Sequence, residues 1–250
     1  MDGCVFCGAR ANSKEHVVPQ WLTRQIPTAA RTADESWGRY DDGGNLHMLP
    51  PRKAGTTTVK CVCTSCNSGW MSSLEAGVQP FLYDLMIGER TLSLSTEQQG
   101  VLAAWALKTL MMLVQTQPEK YRSAISAADH TLLGQNHRLS TRRMIARAFH
   151  VPVPGDESSC TWVEGMVRKT IKPYRGFIGL LRIGTFAVRI TSLNMPGGME
   201  IAPMAPLPHS EPLWPVQQMW SWPPYLQCTA DELDVLRQGS GTVAYGKRKG

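Results

Sequence analysis

Two C-x-x-C pairs, Cys4–Cys7 and Cys63–Cys66, constrain this chain more than any other feature. The two residues inside each pair form a turn that points both sulfurs the same way, and Gly8 permits tight backbone after the first. Together the pairs supply the four thiolates of a tetrahedral zinc site, which is closed and therefore structural. The N-terminus, MDGCVFCGAR, has no basic segment followed by an apolar one, so no signal peptide is expected. The longest apolar stretch, Gly100 to Val114, carries Lys108 and is shorter than the roughly 20 residues of a membrane span. A soluble, cytoplasmic protein follows as the expectation, with reduced thiols whose close pairing points to metal. Cys61 is an alternative ligand, because it shares a face with Cys63 if Val59 to Cys63 is a strand. Cys63 is preferred, since only it has the two-residue spacing to Cys66. Cys160 and Cys228 lack neighbouring partners and read as core residues.

The chain changes character along its length. Residues 1–79 form a Cys- and Gly-rich region, in which Thr28 to Gly55 reads as loops with one short strand. Residues 80–150 read as a helical segment. Ser95-Thr96-Glu97 is a capping signal, and the helix it starts is apolar nearly all round through Val114, as a central core helix would be. Further helices are expected within Pro118 to His130 and around Thr141 to Ala148. On the latter, Arg138, Arg142, Arg143 and Arg147 would form a basic stripe.

Residues 151–250 are β-rich and then Pro- and Trp-rich. Trp162 to Ile171 alternates, and Phe177 to Leu193 gives two β runs with Gly184 as the turn. Pro196 to Pro224, with Trp214, Trp220 and Trp222, is expected to wrap over the core. A short helix at Ala230 to Arg237 and a disordered Gly/Lys-rich tail complete the chain. With 42% hydrophobic and 18% charged residues the composition is that of a folded protein, and a formal net charge of +6 suits an anionic partner without specifying one.

Each cysteine pair is followed by residues able to do chemistry. Ser13-Lys14-Glu15-His16-Val17-Val18-Pro19 follows the first, Asn45-Leu46 lies between, and Asn67 directly follows Cys66. This order, over roughly the first 75 residues, resembles the zinc-knuckle branch of the HNH (ββα-metal) endonucleases found in bacteria and phages. The longer segments EHVVPQWL and CNSGWMSSLE are similar to a group of such nucleases in which helical and β regions follow. The resemblance implies an α+β chain, with an N-terminal zinc-stabilised ββα-metal module, a helical segment and a small antiparallel β region.

It also implies a metal-dependent hydrolase of DNA phosphodiester bonds. His16 would be the general base, since neutral imidazole titrates near working pH. Glu15 and Asn67 would hold one hard divalent cation, Mg²⁺ or Mn²⁺, through oxygens. Asn45 would orient His16. The zinc on Cys4, Cys7, Cys63 and Cys66 would only clamp the scaffold. Glu15 and His16 are neighbours, and on a straight strand they point to opposite faces, so a bend or bulge is expected there. The alternatives are a DNA-binding module without turnover and an RNase on the same scaffold. Glu75, eight residues after Asn67 and able to share its face, is expected in a salt bridge or cap. His47, His130, His137, His150 and His209 read as structural.

Overall fold

The computed structural model describes residues 3–25, 34–40, 46–53, 56–117, 119–151, 163–170, 175–194, 209–216, 220–224, 227–229, 231–233 and 244–245. The fold is α+β. A five-stranded antiparallel sheet, ordered β10-β6-β9-β8-β7, is built from β6 (Met144–His150), β7 (Val163–Thr170), β8 (Arg175–Ile183), β9 (Phe186–Asn194) and β10 (Glu211–Trp214). β8 and β9 form the expected hairpin, with Gly184 at φ 57° in the turn. That left-handed position suits glycine, and a Cβ there would collide with the Met86 carbonyl oxygen.

The longest helix of the described chain runs from Thr96 to Gln115. It is α4 here, after α1 (Gln20–Thr23), α2 (Thr64–Cys66) and α3 (Ser72–Ile87). Ser95 caps it in a reciprocal box with Gln98, as the capping signal suggests. From Leu102 to Gln115 every residue of α4 is buried. The helix packs against α3 and against β7, β8 and β10, which accounts for an apolar surface on all sides. Each Leu or Met fully buried this way contributes about 1.5–3 kcal/mol of transfer free energy. One hydrophobic cluster extends from Cys4 to Trp222, and the boundary expected at residue 79 falls within α3.

Three expectations are corrected. Thr141 to Ala148 is not a helix: Met144–His150 pairs along its whole length with β9, so the arginines form no helical stripe. Arg143 instead reaches Asp129 at 3.5 Å, and Arg147 donates to Ser210. The stretch read as loops holds two paired strands, β2 (Asp34–Tyr40) and β3 (Leu46–Lys53). The tail expected to be disordered contributes a strand as well, Ala244–Tyr245 (β12), which pairs with β2. Between Gln115 and His137 lie α5 (Glu119–Arg122) and α6 (Ala127–Asn136). In the Trp-rich tract, β11 (Trp220–Trp222) pairs with β5 (Leu92–Leu94) and buries both tryptophans, so these residues do cover the core. Among the described residues, no helix is long and apolar enough to cross a membrane.

Candidate metal centre and adjoining cleft

The N-terminal hairpin brings the two cysteine pairs together. β1 (Ser13–His16) runs antiparallel to β4 (Thr58–Val62), so the segments just before and just after them meet. The first knuckle closes with Gly8 N–H donating to the Cys4 carbonyl at 2.8 Å, while Gly8 takes φ 78°. Val5 N–H donates to the Cys61 carbonyl at 2.9 Å, which ties that knuckle to β4. The second knuckle is the start of α2, where Cys63 is the N-cap and its sulfur accepts from Cys66 N–H. Asn12 bridges the two: its Oδ1 accepts from both the amide and the hydroxyl of Thr64, at 2.9 and 3.1 Å.

The sulfurs of Cys4, Cys7, Cys63 and Cys66 consequently lie within 4.8 Å of one another, a cluster that can hold a metal ion such as zinc. Zinc–thiolate bonds of about 2.3 Å in a tetrahedron require sulfurs about 3.8 Å apart. The Cys7–Cys63 separation of 3.6 Å and the 4.8 Å limit on the rest both suit that geometry. Burial alone would push the Cys63 thiol up, but hydrogen bonds from Cys66 N–H and the neighbouring thiols outweigh it and bring Cys63 to about 7. Cys61 is elsewhere. Its sulfur faces Met112 at 3.9 Å in the core, and burial pushes its thiol to about 12. The choice between Cys61 and Cys63 is thereby resolved in favour of Cys63.

Beside the cluster opens a cleft of about 240 Å³ lined by Ser13, Glu15, Thr64, Asn67, Ser68, Ser72 and Glu75. Ser13 and Glu15 face it from one side of β1, as alternate residues must. The strand pairing is irregular between Ser13 and Glu15, but the extra residue sits in β4, so β1 keeps its alternation. Asn67 lies in a wide turn (Asn67–Met71) between α2 and α3 that kinks at Gly69. Its amide nitrogen donates to Ser13 Oγ at 2.8 Å and to the Lys14 carbonyl at 3.2 Å. With the nitrogen tethered, Oδ1 is the atom left over, and it has no partner among the described residues.

Behind the cleft's two carboxylates lies a residue whose role no sequence motif marks. Lys108, in the middle of α4 and fully buried, donates to Glu15 Oε1 at 2.9 Å and to Glu75 Oε1 at 2.7 Å. Trp21 Nε1 donates to the other oxygen of Glu75 at 3.2 Å. Glu75 thus has the expected salt bridge. The available signal was a single lysine inside an apolar helix: a buried ammonium has to be paired, so carboxylates must converge on it. Two carboxylates against one ammonium leave one negative charge unbalanced. Burial accordingly raises the Glu15 carboxyl above its ordinary range, and Lys108 opposes this without cancelling it.

His16 is not part of this wall. It is half-buried on the opposite side of β1, with Thr58 as its partner across the strands. Gln20 Nε2 lies 3.1 Å from its Nε2. Glu15 and Asn67 therefore share one cleft, whereas the irregularity in the β1–β4 pairing precedes Glu15 and leaves Glu15 and His16 on alternate sides of the strand. Asn45 lies outside the described residues, as does Cys160. Trp70 fills the space behind the second knuckle, edge-on to Phe6 at 4.9 Å and stacked on His137 at 5.1 Å. Compared with protein-family models, curated proteins and solved structures, the chain has no match.

Proposed function

We propose that this chain is a metal-dependent HNH-type endonuclease that hydrolyses DNA phosphodiester bonds, built on a structural zinc held by Cys4, Cys7, Cys63 and Cys66. The observation that carries this reading is the cleft against the cysteine cluster, which gathers Glu15 and Asn67 on either side of the same opening. The hairpin of β1 and β4 followed by the α2–α3 segment supports a ββα-metal module in this position. The donor set suits a hard cation: Asn67 is held by its nitrogen with the oxygen left over, and the Glu15–Lys108–Glu75 network has a negative charge to spare. Mg²⁺ or Mn²⁺ bound there through Glu15 and Asn67 would offset charge on the scissile phosphate.

In this proposal the protein's own residues have distinct tasks. Ser13 and the Lys14 carbonyl fix the Asn67 amide. Lys108 holds Glu15 at the cleft floor. His16 takes the proton of the attacking water at an imidazole nitrogen, and Asn45 orients its ring. For this the ring has to leave Gln20 and swing round to the Glu15–Asn67 side of β1 when substrate binds, since catalytic hydrogen bonds tighten only in that complex.

The direction of His16 favours one second reading, a zinc-stabilised DNA-binding module without turnover. Purified protein incubated with supercoiled DNA and Mg²⁺ or Mn²⁺, beside a parallel RNA substrate, separates these functions. Nicking of DNA is expected. His16→Ala should slow it by about 10²–10⁴-fold, as loss of a general base does, with zinc content and melting temperature unchanged. Equal cleavage by that variant would overturn the role of His16. DNA binding without cleavage under either metal would establish the module, and cleavage of RNA alone would establish a ribonuclease.

A further inference from the structure

A second cleft, of about 370 Å³, lies where β4 meets the C-terminal end of α4. Its polar lining is Thr57, Thr58, Lys60, Gln115, Thr116 and Arg122, and none of the described residues that line it is acidic. Two of these side chains are buried with an atom left unused. Thr57 is 3% exposed and Gln115 7% exposed, and among the described residues neither Thr57 Oγ1 nor Gln115 Oε1 has a hydrogen-bond partner. A buried hydroxyl and a buried amide oxygen without partners each carry an uncompensated desolvation cost, which a ligand in the cleft would relieve.

The cations are placed by the fold. Arg122 is drawn to the C-terminal end of α4, where its Nε donates to the Gln117 carbonyl at 2.7 Å. Thr116 Oγ1 donates to the Leu113 carbonyl at 2.7 Å. With those two carbonyls occupied, the terminal nitrogens of Arg122 have no partner among the described residues. Lys60 is exposed on β4, two residues from Thr58, and projects from the same side of the strand.

We propose that this cleft is a phosphate site, taking a phosphate mono- or diester on Arg122, Lys60 and the Thr57 hydroxyl, with a ligand N–H or O–H donating to Gln115 Oε1. Arg122 supplies a planar fork of donors, the geometry that fits phosphate oxygens. Thr58 lines this cleft and is also the cross-strand partner of His16, so an anion held here lies along the outer face of the hairpin. The site stands on its own residues and does not depend on cleavage by the chain.

The test is binding to the zinc-loaded protein without added Mg²⁺ or Mn²⁺, followed by calorimetry and by backbone amide shifts. The probes are inorganic phosphate, a nucleoside monophosphate and a short single-stranded DNA lacking a terminal phosphate. Shifts at residues 57–61, 115–116 and 122 are expected. Arg122→Gln and Lys60→Gln should each weaken binding about tenfold or more, and Thr57→Val by less. These variants alter exposed or half-buried cations or keep the side-chain shape, and melting temperature and zinc content check that the fold persists. Binding by the monoesters assigns the site to a free phosphate compound, and binding by the oligonucleotide alone assigns it to a nucleic-acid backbone. Absence of shifts at these residues with all three probes, or affinity unchanged in both charge variants, overturns the proposal.

Discussion

The hairpin around the cysteine cluster and the core around α4 are held by different forces. In the core, every residue from Leu102 to Gln115 is buried, and the helix packs against α3 and the five-stranded sheet over many apolar side chains. The hairpin of β1 and β4 has two short strands; it joins the apolar cluster through Val17, Val59 and Val62, but what sets it apart is polar: four thiols, the Asn12 bridge, and Lys108 between two carboxylates. A region built from apolar area tolerates loss in small steps. One built from a few ion and ligand contacts loses much of its stability with each.

The largest effect should come from metal. Structural zinc contributes about 10–16 kcal/mol of apparent folding free energy in small zinc domains. A strong chelator, or Cys66→Ser, should therefore unfold β1, β4 and α2, while β8 and β9 keep their amide protection. Hydrogen exchange read residue by residue checks this. Uniform loss of protection across the molecule would show that hairpin and sheet form one cooperative unit, and the contrast between them would fail.

Lys108→Met comes next. It preserves length and apolar bulk but leaves Glu15 and Glu75 facing each other beneath the cleft. Breaking a buried ion network from one side costs about 3–5 kcal/mol, and Glu15→Gln added to it should restore part of the loss. Urea unfolding of both variants measures the two steps. A neutral Lys108→Met would mean that this part of the hairpin behaves like ordinary core.

The seam between the regions offers a smaller test. Gly134 in α6 lies against Phe6 of the first knuckle, and a Cβ there would come 2.8 Å from Phe6 Cβ and 3.1 Å from the Phe6 carbonyl oxygen. Gly134→Ala gains up to about 1 kcal/mol in helix propensity but overpacks this contact by about 1–3 kcal/mol. A net loss of about 1 kcal/mol is expected from thermal unfolding, with amide shifts concentrated at residues 4–8.

What could be read from the sequence follows the same division. The cysteine cluster was legible because a metal demands a fixed ligand number, and two C-x-x-C pairs satisfy it at any separation along the chain. α4 was legible because Ser95, Gln98 and the apolar run are neighbours, and the β8–Gly184–β9 hairpin likewise rests on local turn chemistry. Residues 141–148 misled because Met, Ala and Arg are good helix formers and four arginines fell at helical spacing. The period-two burial of Met144, Ala146 and Ala148 that decides the matter depends on pairing with β9, about forty residues away. Lys108 and Glu15 are separated by 93 residues, so the acid that neutralises the ammonium is visible only in three dimensions.

The smallest effect is a dependence on pH that again separates the regions. His130 in α6 is buried under the knuckle, tilted against Phe6 with ring centroids 5.9 Å apart. Its Nδ1 lies 2.9 Å from the Ser126 carbonyl and so carries the proton, and Gln115 Nε2 faces the other nitrogen at 3.4 Å. Burial holds the imidazole below its ordinary value, against the pull of the Ser126 carbonyl and Asp129. Since the unfolded chain takes up a proton near pH 6.5 and the folded chain resists it, unfolding is favoured as pH falls from about 6.5 through the folded value. Glu15, raised by burial, acts in the opposite sense: its share is lost as pH rises through its raised value. His130→Gln should therefore flatten the loss of melting temperature below about pH 6.5, measured at fixed zinc so that thiol protonation is common to both proteins. An unchanged slope would mean that the acid sensitivity belongs to the thiols alone, and would place all of it in the hairpin rather than at the seam.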